Sequence, residues 1–275
     1  MAGVASNGAA GRPLLSAREL HETLVTPGGL WQDVRVVAET GSTNSDLLAE
    51  ARSGLAEGAV LVAEAQTAGR GRMGRHWVSA PGSALTFSVL LRPAAIPPAS
   101  RGWIPLLAGV AVSRAVRAET GVTARLKWPN DVQVNGAKLA GILAEQAGDA
   151  IVVGIGINLS GGRDELPVVG ATSLALEGAE GAAGAAAGRL LAGVLAELER
   201  WYLAWSGTLG DAISCGLHQE YQRLCGTLGR QVRVSLPGGR TVDGLADEVD
   251  GAGRLVVSSP SGPVPVSAGD VVHVR

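Results

Sequence analysis

Residues 124–145, ARLKWPNDVQVNGAKLAGILAE, contain strand-like apolar segments on both sides of two turn signals. Connections as short as these join antiparallel strands, whereas parallel strands need long crossovers. The next apolar run, AIVVGIGINL at residues 150–159, predicts another buried strand. This stretch therefore predicts a mixed α/β domain (α+β) with a largely antiparallel or mixed sheet.

The segments that precede this stretch alternate between helical and strand patterns. Apolar residues at helical spacing predict helices at residues 15–24, between Asn44 and Gly54, and at residues 101–119. Continuous apolar runs predict strands at residues 34–37, 59–65 and 83–92.

The segments that follow it predict two helices and then a second domain. A long helix is predicted to reach about Trp205, and a second helical stretch ends at Leu224. From Gly229 onward, short alternating segments separated by glycine turns predict a small β-barrel or sandwich. We therefore predict a disordered tail over residues 1–13, a large domain over residues 14–226 and a small C-terminal domain over residues 227–275.

The composition limits the class of protein. With 275 residues, 46% of them apolar, the chain can bury a full core, and its net charge of −2 disfavours a protein that coats nucleic acids. No apolar run approaches the roughly 18 residues of a membrane span, and residues 1–13 lack a secretory signal, so a cytoplasmic protein is predicted. Cys215 and Cys225 have neither C-x-x-C spacing nor a nearby histidine pair, so neither a disulfide nor a metal site is predicted.

A glycine-and-arginine loop, QTAGRGRMGRHW at residues 66–77, contains the pattern G-x-G-x-x-G. A dinucleotide-binding turn would need a helix after these glycines and an acidic residue about 20 positions later. The segment after Gly74 instead contains the turn signal Pro-Gly, and neither Asp nor Glu occurs between Ser79 and Ser100. What remains is either a solvated basic turn or a loop whose backbone amides and guanidinium groups hold an anion.

Other polar groups lie where predicted strands and helices begin or end. Ser42 or Thr43 suits the N-cap of a helix, and Pro-Asn-Asp within Lys127–Asp131 is a turn signal. Gly141 interrupts the strand that begins near Lys138, and a glycine inside a strand often marks close approach by a ligand or another backbone. Taken singly, each feature also fits an ordinary cap, turn, strand edge or bulge.

Five motifs in this order resemble those of a biotin protein ligase: GSTNSD at 41–46, EAQTAGRGRMGRHW at 64–77, KWPNDV at 127–132, KLAGILAE at 138–145 and VGIGINL at 153–159. Each motif alone is weak, but five in register are highly specific. The resemblance extends from about residue 33 to the C-terminus. It implies a class II synthetase-like mixed sheet with helices, followed by a small SH3-like β-barrel, and it identifies the glycine-and-arginine loop as an adenylate-binding loop.

The resemblance also implies a two-step reaction. The biotin carboxylate attacks the α-phosphate of ATP to give biotinyl-5'-AMP and pyrophosphate, and a lysine of a biotin carboxyl-carrier domain of a carboxylase, such as acetyl- or acyl-CoA carboxylase, then attacks the mixed anhydride. Two anions meet in the first step, so cations must neutralise them. Biotin and ATP are the implied substrates, with Mg²⁺ held mainly by phosphates and water.

The resemblance also implies a role for individual residues of these motifs. The resemblance implies that Arg70, Arg72 and Lys138 are catalytic cations. Lys127 and Asp131 are implied to lie beside the reaction centre, where Asp131 would orient or deprotonate the incoming lysine; an ion pair between these two is the structural alternative. The residues implied for biotin binding are Ser42, Thr43, Asn44, Gln66, Arg70, Gly71, Arg72, Lys138 and Gly141. Those implied for ATP or adenylate binding are Arg70, Arg72, Arg75, Lys138, Gly156 and Asn158.

Some members of this family also repress transcription through an N-terminal winged helix. Here only about 33 residues precede the resemblance, without a recognition helix or phosphate-binding cations, so DNA binding is not expected. A lipoate or octanoate ligase shares the general fold but lacks the arginine loop combined with KWPND. A non-catalytic biotin sensor would have no need for Lys138 and the arginine loop. We therefore expect a monofunctional enzyme that binds neither DNA nor a membrane.

Overall fold

The computed structural model describes residues 15–166, 168, 170–179 and 184–274, so the disordered tail predicted over residues 1–13 lies outside the described residues. The α-helices in the described part are α1 (Ala17–Leu24), α2 (Thr43–Arg52), α3 (Trp103–Thr120), α4 (Ala185–Gly207) and α5 (Leu217–Leu224). Two short 3-10 helices cover Arg72–Gly74 and Pro98–Ser100.

The larger sheet has seven strands: β1 (Asp33–Thr40), β2 (Ala59–Gln66), β3 (Ala84–Leu91), β4 (Arg125–Lys127), β5 (Asp131–Val134), β6 (Ala137–Ala147) and β7 (Ala150–Asn158). Their order in the sheet is β1-β2-β3-β7-β6-β5-β4. β1 and β2 are parallel, and every other neighbouring pair is antiparallel. The mixed, largely antiparallel sheet predicted from the sequence is confirmed.

The hairpin between β5 and β6 turns at Asn135 and Gly136. Their φ angles of 52° and 84° lie in the left-handed region that a two-residue hairpin turn requires. The segment after Gly74 does not begin an α-helix, and β2 and β3 on either side of the loop are antiparallel. The loop is therefore not a dinucleotide-binding turn.

One row of paired residues crosses five strands of the larger sheet. Lys127 pairs with Asp131, Asp131 with Gly141, Gly141 with Gly156, and Gly156 with Thr86. The tight connections between the strands align three of the sequence motifs along this row. Motifs that are far apart in the sequence therefore meet at one level of the sheet.

Helices cover both faces of this sheet, which explains why β3 is buried along its whole length. Val62 and Phe87 belong to the main core, which includes α3 and the helix α4 that packs against it. Leu61 and Leu90 point to the opposite face and pack with α2. Successive residues of a strand point to opposite faces, so a sheet covered on both sides needs continuous apolar runs.

The C-terminal sheet has five strands: β8 (Gln231–Ser235), β9 (Thr241–Val249), β10 (Leu255–Ser259), β11 (Gly262–Val266) and β12 (Asp270–His273). All neighbouring pairs are antiparallel, in the order β11-β10-β9-β8-β12. Over described residues 227–274 this sheet, which corresponds to the SH3-like β-barrel implied by the resemblance, is not closed. The predicted fold class of a mixed α/β domain followed by a small β domain is confirmed; the boundary at residue 226 stays a prediction.

Two indole groups join the larger domain to the C-terminal sheet. Nε1 of Trp103 donates to the carbonyl oxygen of Gly251 at 2.8 Å, and Nε1 of Trp128 donates to that of Gly253 at 3.1 Å. Both tryptophans are buried, and both carbonyls belong to the turn between β9 and β10. These contacts fix the C-terminal sheet beside the start of α3 and the turn before β5.

Candidate active site

A cavity of about 420 Å³ lies between the row of paired residues and the loop at residues 69–77. Its volume is in the range of small-molecule sites, about 300–1,000 Å³. Five cationic side chains and two carboxylates line it, a formal excess of three positive charges in a chain whose net charge is −2: Arg70, Arg72, Arg75, Lys127, Lys138, Asp131 and Asp270. Such an excess favours an anionic ligand.

Every residue that the sequence predicts for the site lines this cavity. They are Ser42, Thr43, Asn44, Gln66, Arg70, Gly71, Arg72, Arg75, Lys127, Asp131, Lys138, Gly141, Gly156 and Asn158. Among the other residues of the lining are Trp77, Asn130 and Asp270, for which the sequence predicts no role. The structure therefore brings the motifs together, while the role of each residue stays a prediction.

The first turn of α2 forms one wall of the cavity. Ser42 is the N-cap, and its side chain accepts a hydrogen bond from the N–H of Ser45. Thr43 is buried, and its N–H donates to Oε1 of Gln66 at 2.8 Å. The start of α2 is therefore held to the end of β2.

Behind this wall, two residues that the sequence did not single out continue the polar contacts. Oγ of Ser88 on β3 lies 2.7 Å from Oγ1 of Thr43 and donates to Oδ1 of Asn44 at 2.6 Å. Nδ2 of Asn44 donates to the carboxylate of Glu145 on β6 at 2.9 Å. A serine inside an apolar strand and a glutamate at the end of a motif carry no local signal of this arrangement.

The loop at residues 69–77 is closed by its own backbone. The N–H of Trp77 donates to the carbonyl of Gly69 at 2.9 Å, and the N–H of Gly71 donates to that of Arg75 at 2.7 Å. A Cβ atom at Gly69 would lie 2.4 Å from the carbonyl oxygen of Trp77, so only glycine permits this closure. Met73 adopts a φ of 57°, which is uncommon for a residue with a side chain.

Two arginines of the loop form ion pairs with distant parts of the chain. Arg70 pairs with Glu145 on β6 at 2.5 Å, and Arg75 pairs with Asp270 on β12 at 2.9 Å. The side chains of both arginines are substantially exposed, so these pairs contribute little to folding stability. Their effect is to hold the loop between the two domains.

Arg72 is more enclosed than the other two arginines. Its guanidinium donates to Oδ1 of Asn130 at 2.9 Å and to the carbonyl of Gly269 at 3.4 Å. Burial lowers the pKa of Arg72, and the charges of Asp270 and Asp131 act in the opposite direction. Because a guanidinium keeps its charge at neutral pH, Arg72 carries a partly desolvated positive charge at the cavity.

Lys138 and Asp131 form an ion pair inside the cavity, with Nζ 2.7 Å from Oδ1. The backbone of Lys138 is held as well: its N–H donates to the carbonyl of Gly170, and its carbonyl accepts from Thr172, both at 2.8 Å. The sequence left open an ion pair between Lys127 and Asp131. In the structure Asp131 pairs with Lys138 instead, because the β5–β6 hairpin places Lys138 opposite Gln133, only two residues from Asp131.

Trp77 covers the row of paired residues from the loop side. A Cβ atom at Gly156 would lie 2.4 Å from its ring, and one at Gly141 would lie 3.4 Å from it. Within the described part of the chain, Nε1 of Trp77 is buried without a hydrogen-bond partner. Gly141 and Gly156 therefore allow another group to approach the backbone closely, and in this structure that group is the indole of Trp77.

We expect Gly156→Ala to open the loop. The added methyl group would overlap the ring of Trp77, and relieving such overpacking costs about 1–3 kcal/mol. Amide hydrogen exchange in residues 69–77 should therefore be about 10- to 100-fold faster than in the wild type. Gly207→Ala is the control, because a Cβ atom at Gly207 has open space. Unchanged exchange in the Gly156 variant would contradict the closed packing of Trp77.

Asn158 is buried at the end of β7. Its Nδ2 donates to the carbonyl of Thr172 at 2.9 Å, and its own carbonyl accepts from Leu174 at 3.0 Å. In the structure Asn158 therefore holds the segment that follows Gly170 against the cavity. Its predicted contact with ATP stays a prediction.

In the described ranges no helix is long and apolar enough to cross a membrane. The same ranges contain no group of three or more His, Cys, Asp or Glu side chains that could hold a metal ion, and Cys215 and Cys225 are free thiols.

Comparison with known proteins decides the family. The model of the biotin/lipoate A/B protein ligase family matches residues 37–161, and that of the biotin protein ligase C-terminal domain matches residues 227–274. A biotin–[acetyl-CoA-carboxylase] ligase of Mycobacterium tuberculosis is 42% identical over 272 residues, which cover 96% of this chain and 97% of that protein. The chain belongs to the biotin protein ligase family.

The match extends to solved structures of this family. The biotin protein ligase of Aquifex aeolicus, in complex with biotin and ATP, has a TM-score of 0.73 at 27% identity and covers 89% of this chain and 100% of its own. The bifunctional ligase/repressor BirA of Bacillus spizizenii is 39% identical over 143 residues, and the match covers 42% of BirA and 50% of this chain. The resemblance predicted from five motifs is confirmed.

Proposed function

We propose that the chain attaches biotin to one lysine of a carrier domain, in an ATP-dependent reaction with biotinyl-5'-AMP as intermediate. The acceptor is the carrier domain of a biotin-dependent carboxylase, such as acetyl- or acyl-CoA carboxylase. The convergence of all predicted site residues on one cationic cavity carries the proposal. The name of the M. tuberculosis relative and the ligands of the A. aeolicus structure support the choice of substrates.

In the proposed first step, the biotin carboxylate attacks the α-phosphate of ATP. Lys138 binds the carboxylate, and Arg70 and Arg72 bind phosphate oxygens, so that two anions can meet. In the structure Arg70 pairs with Glu145 and Lys138 pairs with Asp131. In the proposal, anionic oxygens of the ligand replace these two carboxylates. The cations therefore act by positioning and electrostatics.

The remaining lining residues recognise the uncharged parts of the two substrates. Hydroxyl and carboxamide groups supply both donors and acceptors for the ureido ring of biotin. In the proposal this ring lies against Ser42, Thr43, Asn44 and Gln66. The adenylate, in the same proposal, is bound by Arg75, Gly156 and Asn158.

In the proposed second step, the neutral amine of the acceptor lysine attacks the carbonyl carbon of the anhydride. A C–N bond forms, the C–O bond to AMP breaks, and the amine loses a proton. Asp131 receives this proton, since the adenylate has by then replaced it as the partner of Lys138. Lys127 adds positive charge on the other side of Asp131, where it favours release of AMP as an anion.

Mg²⁺ enters this scheme as part of the nucleotide substrate. The two carboxylates of the cavity, Asp131 and Asp270, are already paired with Lys138 and Arg75. The described residues offer no carboxylate cluster in addition. This donor set fits an ion coordinated mainly by phosphates and water.

Pyrophosphate release from MgATP tests the proposal, with biotin, lipoate and octanoate compared as the acid, and with a biotin carrier domain added afterwards. We expect release that depends on biotin and transfer to a single carrier lysine. Release with lipoate alone would reject biotin as the substrate. Biotin binding without release would show a sensor and not a ligase.

The absence of a DNA partner is a separate proposal. It rests on the net charge of the chain, which is −2. Specific binding of an operator sequence by the purified protein would contradict it.

A further inference from the structure

Glu145 stands behind the cavity wall and contacts two of the residues proposed to bind biotin, so this inference rests on the proposed function. Its Oε2 accepts a hydrogen bond from Nδ2 of Asn44 at 2.9 Å and another from Nη2 of Arg70 at 2.5 Å. Asn44 and Arg70 both line the cavity, whereas Glu145 does not. One carboxylate thus holds two residues of the wall from behind.

The surroundings of Asn44 determine which end of its carboxamide faces which way. Nδ2 lies 3.1 Å from the carbonyl of Leu143 and 2.9 Å from the carboxylate of Glu145. Both of these groups are acceptors only, so the group that faces them must be NH₂, and both of its hydrogens are used. Oδ1 of Asn44 already accepts from Ser88 at 2.6 Å. Asn44 can therefore meet a ligand only as an acceptor, through the second lone pair of Oδ1.

Thr43 is restricted by its neighbours in the same way. The single hydroxyl hydrogen of Ser88 is donated to Asn44, so Ser88 is the acceptor in its 2.7 Å contact with Thr43. Thr43 therefore donates its hydroxyl hydrogen to Ser88. Oε1 of Gln66 is a second acceptor for the same hydrogen, but it lies farther from Oγ1 of Thr43, at 3.1 Å. Thr43 thus presents lone pairs to the cavity. A ligand that matches both residues must bring hydrogen-bond donors. The ureido ring of biotin has two N–H donors, whereas ionised lipoate and octanoate have none.

We propose that Glu145 is a positioning residue that gives this part of the cavity its preference for a ligand with N–H groups. Without an acceptor at position 145, one hydrogen of Asn44 Nδ2 is buried without a partner. The carboxamide then rotates toward other partners and presents a donor to the ligand. Gly154 is consistent with a fixed carboxamide, because a Cβ atom there would lie 2.2 Å from Oδ1 of Asn44.

Three variants of the 275-residue chain test this role. Glu145→Leu removes the acceptor, and Glu145→Gln removes the charge but keeps an acceptor oxygen. Asp149→Asn is the matched control, since Asp149 follows the same strand and pairs with Arg92 at 2.5 Å, away from the cavity. For each variant, calorimetry gives the Kd of biotin and of biotin methylated at one ureido nitrogen. Pyrophosphate release gives kcat and the KM for biotin.

We expect Glu145→Leu to raise the Kd and KM of biotin by about 10- to 100-fold. The preference for biotin over the methylated analogue should fall close to one, while kcat at saturating biotin changes by less than about threefold. Glu145→Gln should restore the preference, because its amide oxygen accepts from Asn44. Asp149→Asn should match the wild type in every measurement.

Equal weakening of both ligands by Glu145→Leu would overturn the proposal, since a general loss of packing acts on both alike. Unchanged biotin affinity in that variant would overturn it too. Equal binding of biotin and its methylated analogue by the wild-type protein would also overturn the proposal. A wild-type protein that binds no biotin would instead remove the proposed function, and this outcome is visible before any variant is made.

Discussion

Replacing Lys138 with glutamine is expected to lower the rate of biotin-dependent pyrophosphate release by about 100- to 1,000-fold, the usual effect of removing one preorganised group that stabilises a transition state. Lys138 can have such an effect because the fold holds it rigidly. Its backbone is bonded to Gly170 and Thr172, and its Nζ is paired with Asp131. In the proposed first step the ammonium group is thus already in place when the carboxylate and the phosphate meet, and it needs no reorganisation at that moment.

The measurement is the initial rate at saturating biotin and ATP, with thermal unfolding as a check on the fold. Arg233→Gln is the control, since it removes a cation from an exposed ion pair with Asp243 in the C-terminal sheet. A rate for the Lys138 variant within about threefold of the wild type would mean that another cation stabilises the transition state.

Arg72→Gly is expected to release the adenylate into solution and so to label proteins without selectivity. Arg72 joins the loop to both domains through Asn130 and Gly269, and glycine at this position loses both contacts. Truncating a partly buried, hydrogen-bonded charge acts mainly on the dissociation rate, so we expect the adenylate to leave about 30- to 100-fold faster. The chemical step itself loses less, because Arg70, Arg75 and Lys138 remain.

This prediction is checked with a mixture of a carrier domain and an unrelated protein rich in lysine. The wild type should biotinylate the carrier alone, and the Arg72 variant should biotinylate both. Arg233→Ala, in the C-terminal sheet, should behave as the wild type does. Undiminished selectivity of the Arg72 variant would show that the loop does not retain the adenylate.

The sequence predicts the motifs of the site well because tight hairpins convert short spacing into proximity. The turn at Asn135 and Gly136 places Lys138 next to Asp131, and the register of β6 and β7 places Gly141 beside Gly156. Turn chemistry and strand periodicity are local properties, so they can be read without the fold.

The partners of the arginines could not be predicted in this way. Arg70 pairs with Glu145, and Arg75 pairs with Asp270, almost 200 positions further along the chain. Long side chains find such partners only after two domains and a loop have packed together. Trp77 shows the same limit, since no spacing in the sequence indicates that its ring lies on Gly156.

Lys127 and Lys138 are the only lysines of the chain, and both line the cavity. The other cationic side chains are arginines, which stay protonated and are poor nucleophiles at neutral pH. A diffusing acyl adenylate therefore meets no lysine amine on the enzyme's exterior, so even a leaky variant has little means of acylating itself. For the same reason, an amine-reactive ester should modify these two side chains and the α-amino group alone. The mass of the modified protein would then report directly whether the cavity is occupied.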